Sequence, residues 1–183
     1  MSNDPTDFFV ALLRGINVGG KNKLPMAELT RVCQDLGCRE VRTYIQSGNV
    51  VFRAEPSLAA GLPEAIEGEL AGRLGLKVPV VLRSAAELRR VSQANPWPDA
   101  EPRSLHLAFL AAQPTPQALA KLDPERSPGD QYKVVGRDIF LFLPDGVART
   151  KLSNDYFDRT LRTVSTVRNW TTVMTLLGMV ERA

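Results

Sequence analysis

Residues 8–13 form an unbroken apolar run, Phe8-Phe9-Val10-Ala11-Leu12-Leu13, whereas residues 41–46 alternate, with Val41, Thr43 and Ile45 on one side and Arg42, Tyr44 and Gln46 on the other. The continuous run predicts a strand that is central in a sheet or covered on both faces, and the alternation predicts a half-exposed strand. Between them Met26, Leu29, Val32, Cys33 and Leu36 recur at helical spacing, with Pro25 suited to the first helical position and Gly37 to the stop. Ser47-Gly48-Asn49 makes a tight turn that returns Val50-Val51-Phe52 as a hairpin partner. After Pro56-Ser57, the residues Leu58, Leu62, Ile66, Leu70 and Leu74 predict one helix ending at Gly75, weakened by Gly61, Gly68 and Gly72. Residues 78–82 read as a strand, and Pro79, which cannot donate to a ladder, favours an edge. The resulting order, β-α-β-β-α-β, is the ferredoxin-like arrangement.

In the second half, Ser84-Ala85-Ala86-Glu87 is a capping box opening a connector helix with Leu88 and Val91. Asn95-Pro96-Trp97-Pro98-Asp99 is a loop whose tryptophan either packs down, the favoured reading, or faces a partner. A strand over 105–110, a short helix from Thr115-Pro116, a polar loop over 123–130 and a hairpin of 131–135 with 139–143 about Gly136-Arg137 follow. Ser153 caps a helix with Tyr156, Phe157 and Leu161, and Trp170, Val173, Met174 and Leu177 mark a closing helix. The fold class expected is therefore α+β, two ferredoxin-like (βαββαβ-type) subdomains with antiparallel sheets, the second lacking a clear last strand and ending in a helix. The subdomains span 1–83 and 105–183, joined by a helical connector and loop over 84–104.

The 183 residues are 44% hydrophobic, enough for a substantial core, and the formal charge of +3 is modest, so anionic partners must be sought in local clusters. Cys33 and Cys38 with a single histidine, His106, cannot close a zinc site and suit reduced thiols. No cofactor is implied, and no apolar run approaches the ~20 residues of a membrane span. A soluble, cytoplasmic protein with no membrane partner is expected.

The one dense chemical signal is Arg14-Gly15-Ile16-Asn17-Val18-Gly19-Gly20-Lys21-Asn22-Lys23, which holds three cations and two asparagines and no acid. Such a glycine-rich loop suits an anion. In the expected topology the first two strands run in the same direction, so this loop and the 46–49 turn leave the same end of the sheet. The site predicted there draws on Arg14, Asn17, Gly19, Gly20, Lys21, Lys23, Tyr44, Gln46, Ser47 and Asn49, with Lys151 and Arg168 as further contacts to phosphate.

Three readings follow, and the residues leave the choice open. The leading one is binding of a phosphate-bearing ligand, a nucleotide or a nucleic acid. Gly15-x-x-x-x-Gly20-Lys21 nearly matches a P-loop, but Asn22 replaces the Ser or Thr that would bind Mg²⁺, and Pro25 delays the helix. The second is an enzyme acting on a small anionic metabolite, with Lys21 or Lys151 as acid, base or clamp. The third is a structural or interaction protein in which the glycines only make turns and Trp170 only fills a core.

The boxes Leu12-Leu13-Arg14-Gly15-Ile16-Asn17-Val18-Gly19-Gly20, Pro25-Met26-Ala27-Glu28-Leu29 and Arg42-Thr43-Tyr44-Ile45-Gln46-Ser47-Gly48-Asn49-Val50-Val51-Phe52 resemble the bacterial domain of unknown function (DUF) 1697 family. Lys151-Leu152-Ser153-Asn154 and Arg168-Asn169-Trp170 are similar to its C-terminal boxes. The resemblance implies a bacterial protein of α+β fold and brings no activity, cofactor or catalytic residue with it.

Overall fold

The structure is a computed structural model that describes residues 6–182. It contains two antiparallel four-stranded sheets with interleaved helices, in an α+β architecture. The chain divides into two compact units, one running to Leu88 and taking in the segment from Leu176, the other comprising Arg89–Thr175.

In the first unit β1 (Asp7–Leu13), β2 (Arg39–Tyr44), β3 (Asn49–Ala54) and β4 (Val80–Ser84) lie in the order β2-β3-β1-β4. The apolar run of β1 is central, as its lack of polar positions demands. Phe9, Ala11 and Leu13, with Val50 and Phe52 of β3, face α1 (Met26–Asp35) and α3 (Leu62–Leu74), which bring Leu29, Val32, Cys33, Ile66 and Leu70 into one core. Gly37, at φ +90, ends α1 and leads the chain into β2. The edge strand β2 carries a bulge between Arg39 and Arg42, a device that discourages pairing with another chain.

Two expectations for this unit change. The helix expected from Leu58 to Leu74 is two, α2 (Pro56–Ala59) and α3, because Pro63 would delete a hydrogen bond inside a continuous helix but is tolerated in the first turn of a new one. Ile45 and Gln46 do not continue the alternating strand expected over 41–46. The strand stops at Tyr44, and Ile45 is 50% exposed at φ +49. At the other edge, Pro79 sits just before β4, an outer strand as expected. The Ser84 capping box opens α4 (Ala85–Gln93), with Glu87 N–H donating to Ser84 Oγ at 3.2 Å and Ser84 N–H donating to Glu87 Oε2 at 2.9 Å.

The second unit has β5 (Leu105–Leu110), β6 (Gln131–Val135), β7 (Asp138–Phe142) and β8 (Ser165–Asn169) in the order β6-β7-β5-β8. Ala108, Leu110, Ile139 and Leu141 face α6 (Asn154–Leu161) through Phe157 and Leu161. Thr115 caps the short α5 (Pro116–Leu119) and Ser153 caps α6, each accepting from a backbone N–H at 3.2 Å. Trp97 packs on Phe142 with ring centroids 5.8 Å apart, and Trp170, at the start of α7 (Trp170–Glu181), packs on Phe140 at 6.3 Å.

β8 corrects the expectation that the second subdomain lacks a clear last strand. Its sequence, Ser-Thr-Val-Arg-Asn, has a single hydrophobic residue, yet Ser165, Thr166 and Arg168 are buried. Hydrogen bonds make that burial tolerable. Asp158 Oδ1 accepts from both N–H and Oγ of Ser165 at 2.7 Å, and Arg168 Nη1 donates to Thr166 Oγ1 at 2.9 Å and to Val167 O at 3.0 Å.

The two last strands share their chemistry. In β4, Val80 N–H donates to Glu67 Oε1 at 2.8 Å, and the fully buried Arg83 donates to Leu82 O at 2.8 Å. In β8, Ser165 N–H and Asp158 occupy the first place and Arg168 and Val167 the second. Each strand then runs into a capped helix, through Ser84 in one unit and through Asn169 Oδ1 accepting from Thr172 N–H at 2.8 Å in the other. A helix carboxylate closing the outer strand edge protects it from further pairing.

Candidate functional site

The glycine-rich loop and the hairpin turn meet. Leu13 N–H donates to Gly48 O at 2.8 Å, and Asn17 Nδ2 donates to Gln46 O at 2.9 Å. Gly48 is required at this junction, since at φ +80 a Cβ would lie 2.7 Å from Leu13 Cβ and 2.9 Å from Ile16 Cδ1.

Inside the loop, residues 17–22 form a small two-stranded finger. Asn17 N–H donates to Asn22 O at 3.1 Å and Lys21 N–H to Val18 O at 3.0 Å, and Val18 and Lys21 form a bridge. Gly19 and Gly20 take φ +56 and +74 at the tip, the two positive angles of a type I′ turn. Asn17 clamps the base of the finger: its Oδ1 accepts from Leu24 N–H at 2.9 Å and its Nδ2 donates to Leu24 O at 3.0 Å. Asn22 Nδ2 adds a bond to Gly15 O at 2.8 Å.

These bonds alter the roles expected of several residues. Asn17 and Asn49 were expected as donors to an anion, and both are engaged in holding the backbone. Asn49 is fully buried, and its amide donates to Tyr44 O at 3.1 Å and Ser47 Oγ at 2.9 Å. Gln46 receives Asn17 through its carbonyl, and Gly19 and Gly20 serve the turn. The P-loop resemblance does not extend to structure: α1 begins only at Met26, and the N–H groups of residues 17, 21 and 24 bond within the loop rather than pointing into a cradle.

What the finger offers to solvent is side-chain charge. Lys21 and Lys23 are exposed, Arg14 is half-buried at the base, and Val18 near the tip is 66% exposed. Tyr44 is half-buried at the end of β2, and Arg42 donates to Met179 O at 3.2 Å. Lys151 and Arg168 belong to the second unit. Lys151 is exposed, whereas burial pushes the Arg168 guanidinium down to about 10, leaving it charged at neutral pH but enclosed.

Elsewhere, Cys33 and Cys38 are buried free thiols. The hydrogen bond between them, followed by burial, pushes Cys33 up, and the same bond pushes Cys38 down. His106 is nearly buried in β5 with its Nδ1 unpaired; burial pushes its pKa below the usual value of 6.5, with a backbone hydrogen bond at Ser104 opposing. Among the described residues, no helix is long and apolar enough to cross a membrane.

Sequence reasoning missed Arg83, buried in β4, and the surroundings of α6, where Arg126 and Arg159 flank three hydroxyls. The Lys151-Leu152-Ser153-Asn154 box was the available signal for the latter.

The chain belongs to the family described as "Protein of unknown function (DUF1697)", whose model matches residues 7–140. Among solved structures, the conserved bacterial protein SP0830 from Streptococcus pneumoniae is similar, at 25% identity and a TM-score of 0.67, over 96% of this chain and 99% of that one. No curated protein matches the chain.

Proposed function

For this member of the DUF1697 family we propose that the basic finger of residues 14–23 contacts the phosphate backbone of a nucleic acid. The observation that carries the reading is the pairing of a rigidly clamped base at Asn17 with exposed, acid-free cations at Lys21 and Lys23. Phosphate contacts need presented cations and no base-reading pocket. A protruding finger whose backbone donors are already engaged does not enclose a single nucleotide, which favours the polymer. Catalysis on a small anionic metabolite through Lys21 or Lys151 gains no support, because both lysines are exposed.

Fluorescence anisotropy with single-stranded RNA and duplex DNA oligonucleotides tests the proposal. Affinity should fall steeply between about 50 and 200 mM salt, and replacing Lys21 and Lys23 together with alanine should reduce the log–log salt slope by about 1.4 on single-stranded RNA and about 1.8 on duplex DNA. Absence of binding to either polymer at low salt would sink it.

A further inference from the structure

Around α6 the second unit carries a cavity of about 250 Å³ lined by Arg126, Ser153, Tyr156, Arg159 and Thr160. We propose that this cavity is a binding site for a small phosphate monoester, gripped between the Arg126 and Arg159 guanidiniums. The inference does not rest on the finger, which lies in the other unit.

The lining is made of two cations and three hydroxyls, with no carboxylate. A guanidinium presents planar forks of N–H donors matched to phosphate oxygens, and two of them suit a dianion better than a carboxylate, which one fork satisfies. The volume lies just below the roughly 300–1,000 Å³ of drug-sized sites, which fits a phosphoryl group with a short organic stub.

The side of the site opposite α6 is fixed in place. Asp123 N–H donates to the Tyr156 hydroxyl at 2.8 Å, and Arg126 lies over the Tyr156 ring at 4.9 Å, a cation–π contact that holds its guanidinium beside the cavity. Ser127 Oγ accepts from Lys151 N–H at 3.0 Å and donates to Asp130 at 2.6 Å, tying the loop to the segment that enters α6. On the helix, Arg159 is anchored to Asp155 O through Nε at 3.2 Å rather than through its terminal nitrogens. Ser153 and Tyr156 each accept a backbone N–H, so their hydroxyl protons can be directed elsewhere. Three nearby carboxylates are turned to other donors: Asp123 to Glu125 N–H, Asp130 to Ser127 and Asp158 to Ser165. Two cations held together with no acid in the lining favour an incoming anion, and ordering them in advance lowers the entropic cost of binding.

Isothermal calorimetry of the full chain in chloride buffer, with inorganic phosphate and glycerol 3-phosphate as probes, tests the site. The expected result is saturable one-to-one binding with the ester the tighter. Affinity should fall at least tenfold in the Arg126→Ala, Arg159→Ala double variant and several-fold in Arg159→Lys, which keeps the charge and loses the fork. Lys21→Ala should bind as the parent does, which separates this site from the nucleic-acid surface. Unchanged affinity in both arginine variants, tighter binding of inorganic phosphate than of the ester, or no saturable heat at millimolar probe would each overturn the proposal. Circular dichroism monitors folding, and if the double variant is disordered, Arg159→Lys alone decides.

Discussion

In the first unit the stretch between the central strand and the next helix, residues 14–25, is an elaborate clamped finger, whereas the matching stretch in the second unit, residues 111–115, simply crosses from β5 to Thr115. The second unit places its elaboration around α6 instead, in the 123–130 loop and the segment entering the helix. Beneath that difference the scaffolds agree closely: Leu110 N–H reaches Arg137 O at 2.9 Å as Leu13 N–H reaches Gly48 O at 2.8 Å, and both last strands carry the same carboxylate edge cap and buried arginine. One layout thus supports two unlike surfaces, because a packed sheet tolerates loop variation that its core does not.

The comparison breaks most readily at the two hairpin glycines. Gly48→Ala must accept both a left-handed backbone and a close approach to Leu13 and Ile16, so it should cost about 3 kcal/mol, read as a shift in the urea midpoint. Gly136→Ala has φ +60 with nothing near its Cβ and should cost only about 1 kcal/mol. Equal losses would show that the two turns are not under different constraint.

Next in size are the edge caps. Asp158→Ala removes the acceptor of Ser165 N–H and the shorter of the side-chain contacts of its Oγ, which keeps Asn154 Oδ1 at 3.0 Å, a loss of roughly 1.5 kcal/mol, while Glu67→Ala removes one bond to Val80 N–H and should cost roughly 1 kcal/mol. Denaturant titrations of both variants rank them, and the reverse order would contradict the matching of the two strands.

Asn17→Ala should destabilise by about 1–2 kcal/mol, with the larger signature local: hydrogen exchange of the Leu24 amide should accelerate while amides of β5 stay protected. Uniform acceleration through both units would show that the finger is not an independent addition to its scaffold.

The smallest effect is a pH slope. Burial holds His106 below 6.5 when folded, so the unfolded chain binds the proton more readily. Stability should therefore fall as pH drops below about 6.5, levelling off below the folded pKa. As His106 is the only histidine, His106→Leu should flatten the thermal-midpoint profile between pH 7 and 6. A slope that survives the substitution would assign it to another group.

Sequence periodicity located β5 and β6 to the residue, because Leu105–Leu110 is a bulky, largely apolar run that stops at Ala111-Ala112 and Gln131–Val135 lies between Gly129-Asp130 and Gly136. It placed the caps at Ser84 and Ser153, which act through neighbours three residues away. β8 escaped it because a strand buried through hydrogen bonds leaves no apolar pattern. The break before α3 was legible in Pro63, whose missing N–H outweighs the four-residue leucine spacing.

By itself, then, the sequence determined the two α+β halves, their principal turns and the gathering of cations in one loop, since these depend on neighbours close along the chain. The tertiary structure alone decided which polar groups face solvent and which hold the fold. Whether Asn49 meets a ligand or Tyr44 O, and whether Arg126 comes beside Ser153 and Arg159, depends on partners brought together by folding. A side chain's donors are fixed by its type, but their acceptors are fixed by where the rest of the chain comes to lie.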